Sequence, residues 1–224
     1  MGINFSSMNS TPVAPEATPA PMVEATPVAP IPAPASTGMS LDLSKNMTLD
    51  ITKRNPGLKR LVVGAGWDTA AAGADIDLDI IMFACGAGDK VTSTANVVFF
   101  NNMTIPGVRL NGDNRTGDGE GDDETIDVDL SAVSPDVQSL VVCVSIYDAV
   151  NRRQTFGMVN NSYVRILDKD QNDKELCHFI LKDDYSTDTS VVFAKLVRNG
   201  SDWDFVTLGE GKQADINGLL ALFS

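Results

Sequence analysis

Basic side chains are scarce in this chain. Only 17 Lys and Arg stand against 30 Asp and Glu, a formal net charge of −13. Nucleic acid and anionic membranes both select basic surface, so neither is expected as a general partner. Histidine occurs once, at His178, which removes most zinc sites and Ser-His-Asp arrangements. Cysteine occurs three times, at Cys85, Cys143 and Cys177, with no C-x-x-C spacing. An odd count of this kind fits buried thiols or a reducing compartment better than a disulfide framework. No apolar run approaches the roughly 18 residues of a membrane span. The first residues lack the basic-then-apolar order of a secretory signal.

Proline is thinly spread except at one end. Pro12, Pro15, Pro19, Pro21, Pro27, Pro30, Pro32 and Pro34 are eight of the 11 prolines, and Glu16 and Glu24 are the only charged side chains among them. Thr-Pro-Val-Ala-Pro begins at Thr11 and again at Thr26. Such a segment has too little apolar surface to fold alone. Residues 1–38 are therefore expected to form an extended arm, at about 3.1 Å per residue roughly 80 Å from Ser10 to Ser36. Ile3 and Phe5 give its tip two apolar anchors, and a protein partner is expected there; the alternative is an inert tail. Gly2 with Ser6 matches the myristoylation pattern, the single route by which this chain would associate with a membrane.

From residue 39 to 224 the pattern changes to short strands between turns. Leu41–Ser44 and Met47–Ile51 alternate with period two. Lys59 to Gly64 reads as a strand ending at Gly64-Ala65-Gly66. Further strands are expected at Asp75–Ala84, Val97–Asn101 and Thr125–Leu130. Ser139 to Tyr147 is almost continuously apolar, which suits a central strand buried on both faces. Hairpins are expected over Asp168–Lys174 and Asn199-Gly200, and Ile216–Phe223 reads as a short closing helix. The fold class is an all-β antiparallel sandwich with a short C-terminal helix, and about 185 residues suffice for one such core.

Two acidic stretches stand out. Gly112 to Glu124 reads Gly-Asp-Asn-Arg-Thr-Gly-Asp-Gly-Glu-Gly-Asp-Asp-Glu. Asp113, Asp118, Glu120, Asp122, Asp123 and Glu124 crowd into it between flexible glycines. Like charges this close oppose ionisation, and a hard cation removes that cost. Calcium takes six to eight oxygen ligands, which such a loop supplies. The plainer alternative is a solvated acidic loop. In the second stretch, Asp75, Asp77 and Asp79 share one face of a strand while Ile76, Leu78 and Ile80 face the core. Either the acidic face meets the loop and shares calcium with it, or it is an ordinary solvent face. Neither Asp118 nor Asp168 starts an EF-hand, because position 6 is Asp123 or Asp173 where the motif requires glycine.

Gly66-Trp67-Asp68, Asp75 to Asp79, the Gly112–Glu124 loop, Ile146-Tyr147-Asp148-Ala149 and Gln154-Thr155-Phe156-Gly157 together resemble the TerD family of tellurium-resistance and stress proteins. The resemblance runs from about Met39 to Leu222. It implies a cytoplasmic, non-catalytic β-sandwich that binds two Ca²⁺ and works within larger complexes. Carried onto this sequence, it implies Asp75, Asp77 and Asp79 as strand ligands. From the loop it implies Asp113, Asn114, Thr116, Asp118, Asp122, Asp123 and Glu124. It places Trp67 and Asp68 beside the site and Asp148 behind it. The added arm makes tethering to a partner complex the expected variation. The alternative is a structural component of a virion, filament or other large assembly, in which calcium is a staple.

Overall fold

Two long strands have no exposed face, and the architecture follows from them. Every residue of Leu78–Cys85 and of Ser139–Ile146 is buried. A strand of this kind needs cover on both sides. In the computed structural model, which describes residues 40–69, 76–112 and 121–224, that cover is a second sheet on one side and a helix on the other. The chain divides into Met1–Ala35 and Ser36–Ser224, and the description concerns the second unit alone. The expected arm lies outside the described residues.

The strands in chain order are β1 (Leu41–Leu43), β2 (Thr48–Leu49), β3 (Arg60–Thr69), β4 (Leu78–Cys85), β5 (Val97–Val98), β6 (Thr104–Ile105) and β7 (Val108–Leu110). They continue as β8 (Glu124–Asp129), β9 (Ser139–Ile146), β10 (Val159–Asp168), β11 (Lys174–Ile180), β12 (Ser190–Asn199) and β13 (Asp202–Lys212). Three helices, α1 (Ile51–Arg54), α2 (Ala149–Arg152) and α3 (Ile216–Leu222), punctuate them. The first sheet runs β1-β11-β10-β3-β8-β7-β6 and the second β2-β13-β12-β9-β4-β5. All pairs are antiparallel except β1 with β11.

Alternation decides what each sheet buries. In β8, Glu124, Ile126 and Val128 face inward and Thr125, Asp127 and Asp129 outward. In β4, Leu78, Ile80, Met82 and Ala84 join the core between the sheets. Ile81, Phe83 and Cys85 point the other way and pack with Val141, Cys143, Val192 and Leu219 of α3. Phe223, just past α3, lies 4.9 Å from the Phe83 ring centroid. The closing helix is thus a lid on the outer face of the second sheet. All three cysteines are free and buried. Burial pushes the Cys85 and Cys177 thiols up to about 12 and the Cys143 thiol well above its ordinary value.

Four local expectations shift. The strand expected at Asp75–Ala84 begins at Leu78, so Asp77 lies just ahead of it, and Asp75 is outside the described residues. Ile51 is buried as expected, but it opens α1 instead of ending a strand. The strand expected at Val97–Asn101 shrinks to Val97–Val98, followed by an isolated bridge between Phe99 and Asn102. β3 does not stop at Gly64 but runs on to Thr69. Its glycines make room: a Cβ at Gly64 would overlap the Asp122 carboxylate, and one at Gly66 the Tyr163 ring. Gly64→Ala is expected to cost about 1–3 kcal/mol by this overpacking. Gly86→Ala, where the nearest atoms to a Cβ stand 3.6 Å away, is expected to stay within about 0.5 kcal/mol. Urea unfolding of the two variants checks the contrast.

Candidate functional site

Of the expected ligands, the structure describes Asp77 and Asp79 at the start of β4 and Asp122, Asp123 and Glu124 at the start of β8. Ile76, Leu78 and Ile80 enter the core as expected, so Asp77 and Asp79 take the opposite face. That face is not open to solvent: Asp77 is 8% exposed and Asp79 9%. The Asp77 carbonyl accepts from the Tyr147 N–H at 2.8 Å, which draws the 147–152 turn over the start of β4. Asp79, paired across the ladder with Ser145, lies beside Tyr147 and Asp148.

Glu124 reaches the same strand from the first sheet. It is 3% exposed, and its Oε2 accepts from the Ile80 N–H at 2.5 Å. β5 pairs with β4 only at Met82 and Phe83, and Glu124 takes up the N–H beyond that short edge. The exit of the acidic loop is therefore joined to the backbone of the aspartate strand. Asp123 anchors the other side: its N–H donates to the Ala65 carbonyl at 2.9 Å, and its Oδ2 accepts from the Trp67 N–H at 2.9 Å. Trp67 itself is 4% exposed and its side chain packs in the core.

Asp122 goes elsewhere. Its carboxylate lies over Gly64, where its Oδ1 accepts from Arg165 Nε at 2.7 Å and from the Tyr163 hydroxyl at 3.1 Å. The same hydroxyl donates to the Gly121 carbonyl at 2.7 Å. Burial raises the Asp122 pKa despite the opposing Arg165 charge. Burial works against the Arg165 charge as well, but Asp122 and Glu175 outweigh it and raise its pKa. Of the expected ligands, Asp75, Asp113, Asn114, Thr116 and Asp118 lie outside the described residues. Among the described residues no three carboxylates, thiols or imidazoles converge as a metal cluster. The described donors are all oxygen, the chemistry a hard cation selects. An ionised carboxylate accepts at two oxygens, so anchoring a backbone N–H is compatible with metal ligation.

A group that the sequence did not single out surrounds Arg165. Asp42, His178, Arg165 and Gly64 stand side by side across β1, β11, β10 and β3. His178 Nε2 lies 2.5 Å from Asp42 and Nδ1 lies 2.8 Å from Glu175 Oε1. Glu175 Oε2 is 3.0 Å from Arg165, and Ser40 Oγ donates to Glu175 Oε1 at 2.5 Å. The row carries the only histidine and ends at Asp122, so it ties the first strand to the exit of the acidic loop.

Burial opposes ionisation of Glu175, but hydrogen bonds from Ser40, His178 and Arg165 outweigh it and lower its pKa. A carboxylate lowered in this way stabilises the fold fully above its unfolded value, about 4.3. That contribution fades as pH falls through the lower folded value. Glu175→Gln is expected to destabilise the protein by about 1–3 kcal/mol at neutral pH. The gap to the parent should close as pH drops below about 4. Urea midpoints measured across pH check both.

The comparisons with known proteins agree on one family. The TerD domain profile matches residues 39–223. An uncharacterized protein, YceE of Bacillus subtilis, is 43% identical over 177 residues, covering 77% of this chain and 92% of its own. Stress response protein SCP2 of the same organism is 38% identical, covering 77% and 93%. Tellurium resistance protein TerD of Serratia marcescens is 38% identical, covering 77% and 91%. Among solved structures, the telluride resistance protein homologue SCO6318 of Streptomyces coelicolor superposes with a TM-score of 0.54 at 26% identity, covering 72% of this chain and 94% of that one. With the profile spanning the whole sandwich and relatives of this identity along its length, the chain belongs to the TerD domain family.

Proposed function

We propose that this protein is a non-catalytic, calcium-binding member of its family with a role in tellurite or stress resistance. We propose further that its first 38 residues tether it to a partner complex in the cytoplasm. The names of the relatives support the resistance and stress part of the reading. The observation that carries the calcium part is the Glu124 to Ile80 hydrogen bond, which joins the acidic loop to β4, the strand that carries Asp79 and follows directly on Asp77. Buried carboxylates are costly unless compensated, and a divalent ion held by all-oxygen donors stabilises such a set. In this reading Asp77, Asp79, Asp123 and Glu124 supply ligands with Asp75, Asp113, Asn114, Thr116 and Asp118, as a pair of calcium sites. Asp122 pins the end of the loop through Arg165.

Among the described residues the three thiols are buried and the histidine is engaged by Asp42 and Glu175, which is compatible with the non-catalytic reading. No described helix is long and apolar enough to cross a membrane.

Thermal unfolding of the full chain with chelator, with Ca²⁺ and with Mg²⁺ tests the calcium reading. One site filled at about 100 times its dissociation constant adds about 2.7 kcal/mol. In a domain of this size that raises Tm by about 5–11 °C. The rise is expected with calcium only and should shrink in Glu124→Gln. No calcium shift, together with no metal retained on purification, would sink the reading.

A further inference from the structure

A cleft of about 390 Å³ opens where the 147–151 turn meets the connection into α3. This lies within the size range of ligand clefts, about 300–1,000 Å³. One wall is aromatic: the Phe100 and Tyr147 rings meet edge to face at 6.0 Å. Three carboxylates, Asp79, Asp148 and Asp215, line the rest, and no Lys, Arg or His does so among the described residues. An apolar wall facing acids, without a basic lining residue, is complementary to a cation on an apolar stem.

The mouth is as informative as the interior. Val150 is 82% exposed and Tyr147 45% exposed, although both line the cleft. A small amine lodged inside would leave that rim bare. A protein surface projecting one basic side chain would cover it, with the rim as the apolar surround of the anchor. The turn holds its shape by its own bonds: Asp148 sits at φ +52°, and its Oδ1 accepts from Asn151 at 2.6 Å. Asp215 is fixed by accepting from the Gly218 N–H at 2.8 Å. Arg152 stands outside the lining with its guanidinium 5.5 Å from the Tyr147 ring centroid, so that ring already presents a face to a cation.

We propose that this cleft is a docking site for a partner protein, which inserts a lysine or arginine side chain flanked by apolar residues. It goes beyond the calcium reading: Asp148 and Asp215 are outside the ligand set, and Asp79, which borders both, is the reason for testing with and without calcium. The test is an NMR titration of the full chain with the peptide acetyl-Ala-Leu-Lys-Leu-Ala-amide, with its norleucine counterpart and with spermidine. Each titration is run in chelator and in calcium.

The expected result is a shift of the Tyr147–Asn151 amides by the lysine peptide in at least one buffer, with much weaker binding of the norleucine peptide. Asp148→Asn keeps the left-handed turn, which Asn tolerates, and should weaken lysine-peptide binding about tenfold, the loss of one charge-assisted hydrogen bond. Val150→Ala should weaken it further without altering the folded spectrum. Equal binding of the norleucine peptide would overturn the cationic anchor. Binding of spermidine without the lysine peptide would overturn the protein partner. Absence of shifts in both buffers would overturn the site. Failure of calcium to raise Tm would leave this proposal standing.

Discussion

The molecule depends on burying its second sheet from both sides. β4 and β9 are buried on both faces, so a sandwich of two sheets is not enough. The first sheet covers one face and α3 with Phe223 covers the other. That outer layer is thin and ends before the sandwich does, and the cleft lies where it stops. Asp79 sits at that boundary, one step along the same outward face from Ile81. The acidic strand is thereby largely shielded from water.

The outer face of the first sheet is organised by charge. Arg165 bridges Asp122 and Glu175, and His178 bridges Glu175 and Asp42. Exposed pairs of this sort contribute little. Here Arg165 is 27% exposed and Asp122 6%, so the charges are screened less and their geometry matters more. The two glycines of β3 are part of the arrangement, since they leave the hollow that Asp122 and Tyr163 fill. Together these contacts fix where the acidic loop rejoins the sheet, and Glu124 then carries that fixed point across to β4.

Much of this was legible in the sequence. The alternation of Ile76, Leu78 and Ile80 with aspartates gives the inward face directly, and the run from Ser139 predicts its own two-sided burial. The burial of Asp77 and Asp79 was not legible, because what surrounds Asp79 comes from residues 145–151 and 214–216, far along the chain. Asp122, Asp123 and Glu124 read as one cluster, yet they diverge. Backbone bonds at Asp123 turn the chain, sending Asp122 to Arg165 and Glu124 toward β4. Gly64 looked like a strand end because glycine usually weakens strands, and only the side chain above it explains its presence. The Asp42 to Arg165 row depends on strand register, which local patterns do not encode.

β1 is a three-residue edge strand, and it runs parallel to its single neighbour β11. Any pull on the chain ahead of Ser40 reaches the sandwich through this strand first. So few ladder bonds offer little resistance by themselves. The bonds of Ser40 to Glu175 and of Asp42 to His178 act as two rivets beside that seam. A load applied there is passed sideways through Glu175 and Arg165 to Asp122, so the mechanical anchor of the chain's first strand is also the clamp on its acidic loop.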